Sequence, residues 1–337
     1  MKTKKTSIYD IARVLGVSTS TVSRALQDNP AISAEVRERV RKTAREMGYQ
    51  PNMFAVNLQR GSTRTIGVVV PMVSRNFFSM AIDGIEQVAS EAGYDVLIYQ
   101  SKNDAEREAR ILSDLQRGRA DGVIASVASC GGDYACYRAL EHYGMPLVLF
   151  DRHVEGIAAG TVVLDDRRGA YETVEHLIGQ GFRHIYHYAG SQQTSIWRNR
   201  RQGYLDAMRV HGIEVRPEWI VGGQTTEEGG AEAMERLIAG GELPEAIFFA
   251  GDFAALGAYK VLKRHGLRVP DDMALAGFAN EPFCDLIAPR FTSVEQSGYE
   301  MGGRAARMLL DRLGGAPYED IVIPPRLIVR ESSLKKQ

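Results

Sequence analysis

Apolar residues in the first fifty positions recur at helical spacing. Ile8, Ile11, Ala12 and Leu15 form one stripe; Val22, Ala25 and Leu26 form a second; Val36, Val40, Ala44 and Met47 form a third. Each stripe is punctuated by residues that start or stop helices. Ser7-Ile8-Tyr9-Asp10 has the form of a capping box, and Gly16 suits a left-handed stop after the first stripe. Val17 is placed to pack under that turn, Ser18 to cap the second helix and Ser33 the third, with Asn29-Pro30 and Gly48 as breaks. The spacing predicts two helices joined by a tight turn and a third packed across them, a helix-turn-helix arrangement. The outward face of the second helix is then Thr19, Ser20, Ser23 and Arg24. Arg37, Arg41 and Arg45 share one face of the third.

From Thr65 the pattern changes. TIGVVVP (65–71), YDVLIYQ (94–100), DGVIASV (121–127) and PLVLFD (146–151) are short apolar runs bounded by turn residues. Such runs read as strands buried on both faces of a parallel sheet. Amphipathic stretches such as FFSMAIDGIEQVASEAG and DAEREARILSDLQRG separate them. The alternation restarts with HIYHYAG (184–190), AIFFAGD (246–252) and MALAGFA (273–279). The fold class expected is therefore α/β: a helix-turn-helix head followed by two doubly wound lobes. Ligands of such sheets bind beyond the carboxyl ends of the strands. That rule nominates Asn76-Phe77-Phe78, Ser101, Asp151-Arg152, Asp165-Asp166, Ser191, Asp252 and Asn280.

Charge sharpens the division. The 337 residues carry a net charge of -1, yet residues 1–60 hold eleven Lys/Arg against five Asp/Glu, leaving +6 at the front and -7 behind. A basic head on an acidic body points to a polyanion partner for the head alone. The second helix suits a major groove roughly 12 Å wide, because short hydroxyl side chains let the backbone approach base edges and Arg24 offers a fork that matches guanine. An incidental Ser/Thr face on a small helical bundle is the competing reading.

Other signals bound the function. Three cysteines form no CxxC pair, the start has no apolar signal region, and no run approaches eighteen apolar residues. A cytoplasmic protein without a membrane span is expected. His184 and His187 lie in a strand reading and have no Cys or acid cluster beside them, so no metal is assigned. No P-loop, GxGxxG or GxSxG motif is present, and no cofactor or catalytic constellation is expected. Doubly wound lobes host many enzymes, so the fold alone does not exclude catalysis.

The strings IYDIARVLGVSTSTVSRAL and ISAEVRERVRKTAREMGYQPNMFAVNLQRG closely resemble the head of the lactose-repressor (LacI/GalR) family of transcription regulators. The resemblance implies that Thr19, Ser20 and Arg24 read bases from a helix capped by Ser18, while Thr21 and Ser23 meet phosphates. It implies a hinge helix over Asn52–Gln59 that contacts DNA through Asn52, Ala55 and Leu58, with Ala55 and Leu58 at the minor groove and Leu58 as the wedge that kinks the duplex. Eight residues are too few for a stable isolated helix, so this one is expected to form only on DNA beside its twin.

The body resembles the family's effector-binding core, related to periplasmic sugar-binding proteins, through FDRH, VVLDDRRGAYETVEHLIGQGFRHI, RNRRQGY and AALGAYKVLKRHGLRVPDDMALAGF. It implies a ligand between the lobes. With the strand-end candidates and Trp197, one turn before Arg200, the expected contacts are Phe78, Ser101, Asp151, Arg152, Trp197, Arg200, Gln224, Asp252 and Asn280. An Asp151–Arg200 pair that merely ties the lobes together is the alternative. Gly251 and Ala279 depart from the family's usual Asn and Asp, and Gln224 stands where several relatives carry an aromatic.

The expected division is a head over 1–50, a hinge and linker over 51–61, and a core over 62–337. Its first lobe takes about 62–160 with 292–322, and its second about 161–291 with 323–330. The short tail IVRESSLKKQ lacks a heptad coil, so a homodimer is expected. The combined expectation is a repressor of carbohydrate metabolism on a palindromic operator, responsive to a sugar or sugar acid. The alternatives are a purine or phosphorylated effector, a small-molecule-binding protein without a regulatory role, and an α/β enzyme.

Overall fold

The computed structural model describes residues 6–50, 61–128 and 134–335. The chain forms two compact units that divide between Thr63 and Arg64. The hinge expected over 51–61, with Asn52, Ala55 and Leu58, lies outside the described residues apart from Gly61.

The first unit contains α1 (Ile8–Leu15), α2 (Thr19–Leu26) and α3 (Ala34–Glu46). Its starts and stops follow the local chemistry. Asp10 accepts from Ser7 N at 3.0 Å and from Ser7 Oγ at 2.6 Å, and Gly16 closes α1 with φ 65°. Ile11, Ala12, Val22, Ala25, Val40 and Ala44 make the buried core, with Leu15, Val17, Leu26, Val36 and Met47 packed around it. So small a core places one apolar stripe from each helix inward and leaves every other face to water.

The second unit holds two six-stranded sheets. β1 (Thr65–Val70), β2 (Asp95–Gln100), β3 (Gly122–Ala125), β4 (Leu147–Phe150), β5 (Gly160–Leu164) and β11 (Asp320–Ile323) form the first, in the order β11-β5-β4-β3-β1-β2 and parallel throughout. β6 (Ile185–Tyr188), β7 (Ile220–Val221), β8 (Ala246–Phe249), β9 (Ala274–Ala279), β10 (Thr292–Glu295) and β12 (Arg326–Ile328) form the second, in the order β12-β10-β9-β8-β6-β7 with only β12 antiparallel. The central strands are buried along their length. This is why they read as unbroken apolar runs rather than as alternating ones.

Helices α4 (Asn76–Glu91), α5 (Ala105–Gln116), α6 (Ala135–His142) and α11 (Gly298–Leu313) belong with the first sheet. α7 (Asp166–Gly179), α8 (Ser195–Val210), α9 (Glu227–Gly240) and α10 (Asp252–Arg264) belong with the second. α8 lies tight against α7 because Gly203 has no Cβ; one built there would run into the carbonyl oxygen of Arg167. That close approach brings Arg200, one turn earlier, to the start of α7.

The strand ladders move the expected lobe limits. β5 pairs with β4 and β11, so residues 161–164 belong to the first lobe. β10 pairs with β9 and β12, so 292–295 belong to the second, and Ile323 ends β11 in the first. The chain therefore crosses between sheets after 164, after 295 and after 323. An apolar run marks a strand but not the sheet it joins, which is decided by long-range pairing. Among the described residues no helix is long and apolar enough to cross a membrane.

Candidate functional site

The hydroxyl run on α2 divides its labour. Ser18 is the cap: its Oγ accepts from Thr21 N at 3.1 Å and lies 2.8 Å from both Ser20 Oγ and Thr21 Oγ1. Ser20 and Arg24 are exposed, and Thr19, Thr21 and Ser23 are partly so. Arg24 makes no ion pair among the described residues, so its guanidinium is left to an outside acceptor. The arginines of α3 are used differently. Arg37 donates to the carbonyls of Asp28 (3.2 Å) and Asn29 (3.5 Å), and Arg41 pairs with Asp28. Both brace the carboxyl end of α2, where positive charge offsets the helix dipole. Arg45 pairs with Glu38.

In the second unit a cavity of about 360 Å³ opens at the carboxyl ends of both sheets. Nine residues expected at the site line it: Phe77, Phe78, Asp151, Arg152, Ser191, Trp197, Arg200, Gln224 and Asp252. Three of its lining residues have positive φ: Asn103 after β2, Asp151 after β4 and Ala279 at the end of β9. Conformations of this kind cost free energy and persist only where the surroundings fix them, which is a common feature of ligand sites.

Arg200 is the keystone. It is 2% exposed; Nε donates to Asp166 Oδ1 at 2.7 Å, Nη1 donates to the Ala250 carbonyl at 2.6 Å, and Nη2 lies 2.7 Å from Asp166 Oδ1. Its guanidinium stacks 3.7 Å from the Phe278 ring centre and 4.9 Å from that of Trp197. Its carboxylate partner is thus Asp166, not Asp151 as an interlobe pair required. Burial pushes Asp166 up to about 6 despite the opposing pull of Arg200. Asp151 accepts from Ser126 Oγ at 3.0 Å and lies 3.7 Å from Arg152 Nε. Burial raises the pKa of Asp151 and lowers that of Arg152, whose Nη1 also donates to Asn103 Oδ1 at 2.7 Å.

Two expected contacts face elsewhere. Ser101 is fully buried beside the carboxyl of Glu108 and does not line the cavity. Asn280 turns out of the cavity, donating to Glu295 Oε2 (2.7 Å) and accepting from Arg330 Nη2 (2.9 Å), because its left-handed backbone (φ 50°) sends the side chain toward β10 and β12. Asp252 lines the cavity with its carboxylate engaged. Ser293 Oγ lies 2.8 and 3.0 Å from its two oxygens, and Glu281 N donates to Oδ2 at 2.9 Å.

Arg75, Phe253, Phe278, Glu281 and Gln296 also line the cavity, although the sequence did not single them out as contacts. Arg75 lies 3.8 Å over the ring of Phe253, joining a residue that precedes α4 of the first lobe to α10 of the second. Glu281 follows β9 one residue after Asn280; burial and then the nearby Asp252 push it up to about 7. The acidic residue inside MALAGFANE was the available signal for it.

Residues 7–52 match the pattern described as bacterial regulatory proteins, lacI family, and residues 174–333 match a periplasmic binding protein-like domain. The HTH-type transcriptional repressor CytR of Escherichia coli (strain K12) is 35% identical over 94% of this chain and 93% of its own length. The chain belongs to the lacI family of bacterial regulatory proteins. It is a DNA-binding transcription regulator with a helix-turn-helix head and a periplasmic-binding-protein-like core. Catabolite control protein A of Priestia megaterium is 30% identical over 97% of this chain and 99% of its own length. The structure of a transcriptional regulator CelR–cellobiose complex matches with a TM-score of 0.74 at 28% identity, covering 97% of this chain and 100% of the other. The lac repressor dimer bound to operator and the anti-inducer ONPF shares the fold with a TM-score of 0.87 at 24% identity, covering 98% and 100%. This lacI-family chain therefore carries the family's periplasmic-binding-protein-like core.

Proposed function

We propose that this lacI-family regulator is a cytoplasmic repressor of carbohydrate-metabolism genes, whose DNA grip is set by a sugar in the cleft. The observation that carries the reading is the pairing of two sites in one chain. A face of exposed Ser20 and Arg24 with half-buried Thr19 sits on a firmly capped helix, and a cavity of about 360 Å³ is walled by aromatic rings and buried ions. Thr19, Ser20 and Arg24 read bases; Thr21 and Ser23 meet phosphates; Asn52, Ala55 and Leu58 belong to the hinge that docks in the minor groove. Two subunits present paired heads to a pseudo-palindromic operator. In the cleft, Phe78 and Trp197 stack the ligand, and Gln224 and Arg152 offer it polar groups. Arg200 shapes the site through Asp166. A sugar is favoured by the regulator–cellobiose complex and by a regulator from Enterococcus faecium with bound ribose, both of this fold. No catalytic role is assigned to any cleft residue.

Selection of DNA from a pool of genomic fragments tests this reading. The full chain should enrich a palindromic site, and Arg24→Ala should blur preference at one base pair by about 1–3 kcal/mol. Enrichment no better than that of random competitor would refute it.

A further inference from the structure

The ions of the cleft are unequally occupied. Arg200 is held by Asp166 and the Ala250 carbonyl, Arg152 by Asn103 and Asp151, and Asp252 by Ser293 and the Glu281 amide. Arg200 Nη2 forms no hydrogen bond but still has the Asp166 carboxylate 2.7 Å away, whereas the Glu281 carboxyl has no cation in an ion pair with it among the described residues. It is on a residue only 7% exposed, it lines the cavity, and no hydrogen bond reaches it from the described residues. Gly251 and Ala279, which lack polar side chains, line the same cavity.

We infer that Glu281 selects the ligand, by accepting a hydrogen bond from an uncharged molecule. This rests on reading the cavity as the effector site. The uncharged class follows from the balance of charge. Arg152 and Arg200 stand in ion pairs with Asp151 and Asp166, and Arg75 is stacked on Phe253 in a cavity that also holds Asp252 and Glu281. A phosphate or carboxylate would meet two arginines already engaged and a third stacked on Phe253, inside a site where an unmatched buried charge is costly. A hydroxyl or ring N–H offered to a buried carboxylate makes instead a charge-assisted bond.

The groups facing Glu281 are Asp252 at the start of α10, Arg75 before α4 and Cys284 on its own turn. Burial and Asp252 outweigh Arg75 and set its ionisation at about 7. The accepting, ionised form therefore grows as pH rises through neutrality, and affinity for a donor ligand should rise with it.

Titration calorimetry on the full chain at pH 6, 7 and 8 tests this. Ribose, cellobiose and adenosine serve as neutral probes; ribose 5-phosphate, glucuronate and adenosine monophosphate serve as their charged counterparts. At least one neutral probe should bind, about tenfold tighter at pH 8 than at pH 6, and its charged counterpart should bind at least about tenfold more weakly. Glu281→Gln, nearly isosteric, should abolish the pH slope and weaken binding at pH 8 by about tenfold or more. Binding of charged probes only, or of no neutral probe, overturns the inference. So does a slope that survives in Glu281→Gln, since it would then belong to another acid such as Asp166. If Glu281→Gln changes nothing while Trp197→Ala abolishes binding, the cleft stands and the inference falls. If neither variant alters binding, the cleft reading itself falls.

Discussion

The head and the cleft present polar chemistry in opposite ways. On α2 the functional groups are exposed or half-exposed, held by a small apolar core and one serine cap. In the cleft they are sunk into the protein, with Arg200, Asp151 and Asp252 almost wholly removed from water. A surface helix needs only to be formed and aimed. A buried charge must also be neutralised, so most of the cleft's ionic groups serve one another before they serve a ligand. The practical difference is that head substitutions should change DNA recognition with little loss of stability, whereas cleft substitutions should change both ligand response and stability.

Arg200→Ala gives the largest effect expected from that contrast. It strands Asp166 in a buried site, and breaking such a pair costs about 3–5 kcal/mol. Chemical denaturation should show this loss in the core, together with loss of ligand response; stability within about 0.5 kcal/mol of the parent would contradict the buried pair. Ser18→Ala should act locally, weakening α2 by about 1 kcal/mol. Hydrogen exchange should then quicken at the amides of α2 while the sheets stay protected.

The smallest effect at neutral pH, visible only on acidification, belongs to His187. It is fully buried between the rings of Tyr204 and Phe248, its Nδ1 bonded to the Phe248 carbonyl at 3.0 Å, and burial drops its pKa from 6.5 to about 3. The unfolded chain therefore binds the proton first, so the stability tied to a neutral His187 is present above about 6.5 and is lost as pH falls toward 3. Asp166 and Glu281, raised by burial, titrate in the opposite sense. The difference between the parent and His187→Phe isolates the histidine: the variant should lose less stability between pH 6.5 and 4.

The same contrast explains what could be read from sequence. On a helix, spacing alone fixes which residues share a face, so the α2 surface and the stripes of α1–α3 are legible from the order of residues. The strands are legible too, because burial on both faces makes them continuously apolar. Lobe limits are less so, since Gly160–Leu164 and Thr292–Glu295 could pair in either sheet. Cleft contacts are the least legible. They sit on turns after strands, where one residue's backbone angle sends neighbours apart: Asn280 toward Glu295 and Arg330, Glu281 into the cavity. Likewise the neighbours Asp165 and Asp166 part company. Asp165 caps α7 through Arg168 N, while Asp166 grips Arg200 across the interface of two helices. No local pattern carries that information.

The central claim is that occupancy of the cleft governs the grip of the head. It is tested most directly by measuring the full chain's affinity for its selected DNA site by fluorescence anisotropy, with and without a saturating neutral sugar shown by calorimetry to bind. The account predicts a shift of about 5–150-fold, reciprocated by the same factor in sugar affinity when DNA is present. Equal DNA affinity with the cleft empty and filled would contradict it.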